Sequence, residues 1–214
     1  NSEKLAFLKM DRKQQNWEMF VSDRVSGKSL KILSESDENG WLDNHGQIRF
    51  LNDGKIIWVS EKSGYKHIWI AKHSGSSSWP ITEGKWEVSK IIHVNEEKQT
   101  IYFTANKESV FENRFYSINF DGSGLKLLTL EAGSHSVRVF PDGNGFIDSF
   151  SSLDHPQKHI LKDMNGKIIK IISETDKTQF QVYDWSYPKI IQFNSTDKTT
   201  VLDGIITYPP DYKN

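Results

Sequence analysis

The stretch Gln47-Ile48-Arg49-Phe50-Leu51-Asn52-Asp53-Gly54-Lys55-Ile56-Ile57-Trp58-Val59-Ser60, followed by His67-Ile68-Trp69-Ile70-Ala71 and then Trp79-Pro80-Ile81-Thr82, decides the fold. It contains four short segments rich in β-branched and aromatic residues, at 47–51, 56–60, 67–71 and 79–82. Asn52-Asp53-Gly54 separates the first pair, and Ser74-Gly75 separates the last. Such segments suit a pleated, half-buried surface, and the glycines supply the positive φ that a tight hairpin demands. The stretch therefore predicts four antiparallel strands in chain order.

The same unit recurs on both sides. Glycines of the later turn stand at 27, 75, 122 and 166, intervals of 48, 47 and 44 residues. Trp17-Glu18-Met19-Phe20, Arg114-Phe115-Tyr116-Ser117 and His159-Ile160-Leu161 precede theirs as His67-Ile68-Trp69-Ile70 precedes Gly75. The earlier turn recurs at Pro141-Asp142-Gly143, with Asn95-Glu96-Glu97 in the matching place. A four-stranded unit at this interval is the period of a β-propeller blade. An ordinary sandwich also needs turns, but not at fixed spacing. No window keeps a helical apolar period.

The expected fold class is all-β, a β-propeller fragment of about four four-stranded antiparallel blades plus a C-terminal hairpin. The expected blades are a partial one at 1–40 and full ones at 41–84, 85–133 and 134–176, within a propeller region spanning 1–186. Residues 187–214 read as a linker hairpin, 187–193 against 201–208, ended by Pro209 and Pro210. Proline restricts the chain and cannot donate to a ladder.

Composition narrows the function. The 27 Lys+Arg against 28 Asp+Glu give a formal charge of −1, so no nucleic-acid partner is expected. An aromatic fraction of 12% argues against long disorder. Cysteine is absent, which excludes disulfides, thiolate metal sites and Cys nucleophiles. Apolar runs are far shorter than the roughly 18 residues needed to cross a bilayer, so no membrane span is expected. The chain begins at Asn1 rather than Met, so any targeting segment is expected to have been removed or to lie upstream, and the chain reads as a piece of a longer protein.

No complete catalytic, metal or cofactor constellation stands in the sequence. Gly-x-Ser-x-Gly, the hydrolase nucleophile turn, does not occur. Gly27-Lys28-Ser29 lacks the glycine and helix of a phosphate loop and reads as a hairpin tip. His155 and His159 are four apart, a spacing that converges on a helix but not on a strand. Asn194-Ser195-Thr196 fits a glycosylation acceptor.

Function on a propeller resides in its loops, because the blades are committed to packing. Asp37-Glu38-Asn39-Gly40-Trp41-Leu42-Asp43-Asn44-His45 is the most unusual loop. It offers Trp41 as an apolar wall for a peptide, Asp43 for a cationic amine and His45 for hydrogen bonding. The other reading has Trp41 capping the blade core, with Asp43 and His45 solvated. In Gly84-Lys85-Trp86-Glu87-Val88, Trp86 and Val88 alternate inward and Glu87 is left for the channel.

Five strings in order carry a family resemblance: Trp58-Val59-Ser60-Glu61-Lys62-Ser63-Gly64-Tyr65-Lys66-His67-Ile68, Thr82-Glu83-Gly84-Lys85-Trp86-Glu87-Val88, Ile101-Tyr102-Phe103-Thr104-Ala105, Asn119-Phe120-Asp121-Gly122-Ser123-Gly124 and Gly133-Ser134-His135-Ser136. Together they resemble the late propeller blades of dipeptidyl peptidase IV-like enzymes, of the prolyl oligopeptidase group of serine peptidases. Tyr208-Pro209-Pro210-Asp211 is similar to the approach to that group's α/β-hydrolase domain. The resemblance implies a secreted or periplasmic parent exopeptidase that releases N-terminal dipeptides after Pro or Ala. It places the Ser–Asp–His triad downstream of Asn214 and the paired glutamates for the substrate amine upstream of Asn1. Glu108–114 departs from the pattern by lacking a proline usual in related chains.

The resemblance thus implies a substrate-gating propeller part, itself non-catalytic, of an enzyme whose partner is its peptide substrate, with Trp41, Asp43, His45 and Glu87 as substrate-binding candidates. The alternative is a non-enzymatic propeller that docks peptides or proteins. Cut blade edges seek partners, so self-association of copies is also expected.

Overall fold

In a computed structural model that describes residues 3–42, 47–72, 77–180, 182–184 and 186–212, nearly every regular element is a strand. Each ladder is antiparallel and joins strands adjacent in the chain. The chain divides into two compact units, Asn1–Leu128 and Thr129–Asn214.

The first unit holds three sheets. β1 (Lys4–Met10), β2 (Asn16–Asp23) and β3 (Ser29–Ser36) form a three-stranded sheet. β4 (Ile48–Phe50), β5 (Ile56–Ser60), β6 (His67–Ala71) and β7 (Ser78–Pro80) form the second. β8 (Val88–Asn95), β9 (Thr100–Ala105), β10 (Arg114–Asn119) and β11 (Lys126–Leu127) form the third. In the second unit, β12 (Ser134–Val139), β13 (Gly145–Ser151), β14 (Lys158–Asp163) and β15 (Ile168–Glu174) make another four-stranded sheet. A 3₁₀ turn at Lys177–Phe180 precedes the hairpin of β16 (Lys189–Asn194) and β17 (Val201–Ile206).

The turns explain the register. Gly54, Gly122, Gly143 and Gly166 have φ of 82, 84, 66 and 86°, the left-handed region that only glycine enters without strain. In the third sheet Gln99 takes that position at φ 50°, with its own amide donating to the Glu96 carbonyl at 2.6 Å. The expected turn at Ser74-Gly75 lies outside the described residues.

The outer strands are shorter than the sequence suggests. β7 ends at Pro80, which has no N–H, although Ile81 N still donates to the Ile68 carbonyl at 2.8 Å. β11 is two residues long, and Leu128 N continues its line to the Phe115 carbonyl.

β5 is buried on both faces. Ile57 and Val59 pack with Ile68, Ile70, Phe103 and Tyr116. Ile56 and Trp58 pack on the other side with Trp17, Met19 and Leu33. Trp86, Phe103 and Tyr116 stack in a row with ring centroids 6.3 and 5.6 Å apart. Each such side chain contributes about 1.5–3 kcal/mol by leaving water. Trp86 and Val88 point inward as the alternation predicts.

Candidate functional site

The site begins with the β1–β2 turn. Asp11 Oδ1 accepts from the backbone N–H groups of Gln15 at 2.8 Å and Asn16 at 3.1 Å, and Oδ2 accepts from the Asn16 amide at 3.0 Å. The Asn16 amide, foremost among these donors, holds the Asp11 carboxyl below its usual range. The turn passes through Gln14 at φ 57°.

The loop after β3 is strapped to this turn. Asp37 N donates to the Gln15 carbonyl at 2.9 Å, and Leu42 N donates to the Gln14 carbonyl at 2.8 Å. In return the Gln15 amide donates to the Glu38 carbonyl at 3.0 Å. Leu42 then enters the core beside Trp17 and Trp58. With Leu42 inward, Trp41 turns outward and is 79% exposed. Trp41 therefore does not cap the blade core; Leu42 does. Trp41 lines an open cavity of about 530 Å³ with Arg12, Lys13, Gln14 and Gln15.

Asp43 and His45 lie outside the described residues. Glu87 has an exposed side chain, while its backbone exchanges hydrogen bonds with Asn106: Glu87 N donates to Asn106 Oδ1 at 2.6 Å, and Asn106 N to the Glu87 carbonyl at 3.1 Å. It does not line the cavity at Trp41.

A second cavity, about 640 Å³, lies in the second unit and is lined in part by Ser152, Asp154, His155, Lys177, Tyr183 and Tyr187. Ser152, Asp154 and His155 superficially suggest a hydrolytic triad, but their bonding differs. A triad needs the carboxylate on one ring nitrogen and the hydroxyl on the other. Here Asp154 Oδ1 and Ser152 Oγ both approach Nδ1, at 2.9 and 3.4 Å, and the hydroxyl donates to Asp154 at 2.7 Å. Bonds from Ser152 and His155 hold the Asp154 carboxyl down to about 2. The group is a turn clasp with no activated nucleophile.

The strongest electrostatic feature of the second unit is buried. His135 Nδ1 meets Asp148 Oδ1 at 2.8 Å, and its Nε2 meets the Glu131 carbonyl at 2.9 Å, so each ring nitrogen faces an acceptor. Lys162 Nζ donates to Asp148 Oδ2 at 2.9 Å and to Glu131 Oε2 at 3.1 Å. His135, Asp148 and Lys162 are all buried. Burial pushes the Asp148 carboxyl up, but His135 and Lys162 outweigh it and leave it below its ordinary value. Among the described residues, no group of three His, Asp or Glu could hold a metal ion.

Residues 1–157 match the family described as the dipeptidyl peptidase IV (DPP IV) N-terminal region. The chain belongs to this family. Curated DPP IV relatives match this chain over part of their own length. Dipeptidyl peptidase 4 of Arthroderma otae is 29% identical over 211 residues, covering 92% of this chain and 27% of the relative. A probable dipeptidyl peptidase 4 of Aspergillus flavus is 24% identical over 192 residues, covering 86% of this chain and 25% of the relative. The crystal structure of Porphyromonas gingivalis dipeptidyl peptidase 4 superposes with a TM-score of 0.91 at 21% identity, over 100% of this chain and 30% of that one. The chain thus spans about a quarter of the length of the curated relatives it matches. The fold is that of a β-propeller fragment of a DPP IV N-terminal region.

Two features of this DPP IV region escape a reading of the sequence. Arg12 and Lys13 look like ordinary turn residues until the strap to residues 37–42 brings Trp41 beside them. His135, Asp148 and Lys162 stand on three different strands. Their link is diagonal, since His135 pairs directly with Phe150 and Lys162 with Phe146, each two residues from Asp148.

Proposed function

We propose that the chain is the substrate-gating propeller part of a serine exopeptidase that releases N-terminal dipeptides, with a preference for Pro or Ala before the cut. The observation that carries this reading is the family match over residues 1–157, joined to the superposition of the entire chain on a dipeptidyl peptidase 4. Catalysis by an activated Ser needs a base, an orienting carboxylate and oxyanion donors. We assign these to the rest of the parent protein. The propeller contributes by excluding folded proteins and positioning the peptide, which acts on specificity. Trp41, Asp43, His45 and Glu87 are the proposed substrate-facing residues.

We place the parent protein in the periplasm or outside the cell, on the strength of the family resemblance. No helix among the described residues is long and apolar enough to cross a membrane.

The test uses a Gly-Pro chromogenic substrate on two proteins, the product of the full gene and the 214-residue chain. Release by the first and none by the second supports the reading, as does a Gly-x-Ser-x-Gly string followed by Asp and His after Asn214. A reading frame that stops at Asn214 overturns it in favour of a docking module, and turnover by the isolated chain overturns the non-catalytic role.

A further inference from the structure

The cavity at Trp41 combines three chemistries. Arg12 and Lys13 bring two exposed cations on one turn, Gln14 adds an amide, and Trp41 adds a broad exposed ring. Among the described residues, Asp11 feels the Lys13 charge, but its oxygens and Oδ1 of Asp37 are engaged elsewhere. Asp11 is occupied by three donors from Gln15 and Asn16. Asp37 Oδ1 accepts from Asn39 N at 2.8 Å. Among the described residues, Arg12 makes no hydrogen bond or ion pair.

A guanidinium with free donors is suited to a carboxylate, which it grips through two parallel bonds. An exposed indole beside it gives apolar contact and stacking area for the residue that carries the acid. The volume, about 530 Å³, falls in the range of sites that take small ligands. The cavity walls are also braced from behind. The straps between residues 14–15 and 37–42 hold turn and loop together, so little ordering is left to binding.

We propose that this cavity binds the carboxylate of a short peptide, with Arg12 and Lys13 holding the acid and Trp41 packing against the residue that bears it. The identification of the ligand as a peptide rests on the peptidase reading above. The acid comes either from the peptide's C-terminus or from a Glu or Asp side chain.

The test is isothermal titration calorimetry of the 214-residue chain with four versions of Ala-Pro-Phe-Glu. One has both carboxylates, one is amidated at the C-terminus, one has Gln for Glu, and one has both changes. Losing the essential carboxylate is expected to weaken binding by roughly tenfold or more, as for a charge-assisted hydrogen bond. Amidation alone causing that loss identifies the C-terminus, and Glu to Gln alone causing it identifies the side chain. Arg12→Gln is expected to weaken the acidic peptide by a similar factor and to reduce the salt dependence of binding, while Arg12→Lys restores part of both. Trp41→Ala is expected to weaken all four peptides alike. Both side chains are exposed, so unchanged circular dichroism shows that the variants remain folded. Equal affinity for all four peptides, no binding at millimolar concentration, or an unchanged Arg12→Gln would overturn the proposal. Since the measurement needs no turnover, binding without parent peptidase activity refutes only the peptidase reading, and activity without binding refutes only this one.

Discussion

Replacing Lys162 by Met keeps most of the side-chain length and removes a charge that is enclosed in the second unit. The Lys162 and Asp148 side chains are 2% and 0% exposed. Deleting Lys162 leaves the buried Asp148 carboxylate with His135 but without its cation, and breaking such a pair costs about 3–5 kcal/mol. Glu131, about a third exposed, is screened by water and adds little to that figure. In a chain of this size each kcal/mol lowers the midpoint by about 2–4 °C, so Tm should fall by roughly 6–20 °C. The pH dependence supplies a second check. Asp148 has its folded value depressed, so its contribution is present above the unfolded value of about 3.9 and disappears as pH falls through the folded one. The gap between wild type and Lys162→Met should therefore narrow below about pH 4. Adding Asp148→Asn should recover part of the loss, because the two residues share one interaction. Urea and thermal unfolding followed by circular dichroism at pH 7 and pH 3.5 measure all three quantities. A loss under about 1 kcal/mol at pH 7, or a gap that widens in acid, would refute the coupling.

Gly133→Ala should destabilise the second unit by about 1–3 kcal/mol, since φ is 146° and a Cβ would sit 2.5 Å from the Ser151 carbonyl oxygen; thermal unfolding reads it directly. Lys198→Gly should add up to about 1 kcal/mol, because Lys198 occupies φ 61° in the exposed β16–β17 turn; a lowered urea midpoint would contradict it. We also propose that copies of the chain associate through strand edges, β1 having a ladder partner on one side only among the described residues. Light scattering should give a mass above 24.7 kDa that rises with micromolar concentration, and a constant monomer mass would remove the idea.

The strands were legible because their chemistry repeats. Ile56–Ser60 and His67–Ala71 fall where the β-branched and aromatic runs predict, and Gly54, Gly122, Gly143 and Gly166 adopt the conformation their turns require. Trp86 and Val88 were legible too, because alternation on a strand fixes which side chains enter the core. Loops carry no such period. Nothing in Gly40-Trp41-Leu42 reveals that Leu42 enters the core and Trp41 faces water; the bond from Leu42 N to the Gln14 carbonyl, 28 positions earlier, decides it. Arg12 was obscure for the same reason. The links among His135, Asp148 and Lys162 depend on the registers of two ladders, which a one-dimensional pattern does not fix to the residue.

Among the described residues, each strand's ladder partners are its immediate predecessor or successor in the chain. Few long segments must therefore close before a ladder is rewarded, and the loop-entropy barrier that slows most all-β topologies is reduced. A chain leaving the ribosome can complete one sheet before the next has been synthesised, which shortens the time that its apolar strands spend uncovered during translation.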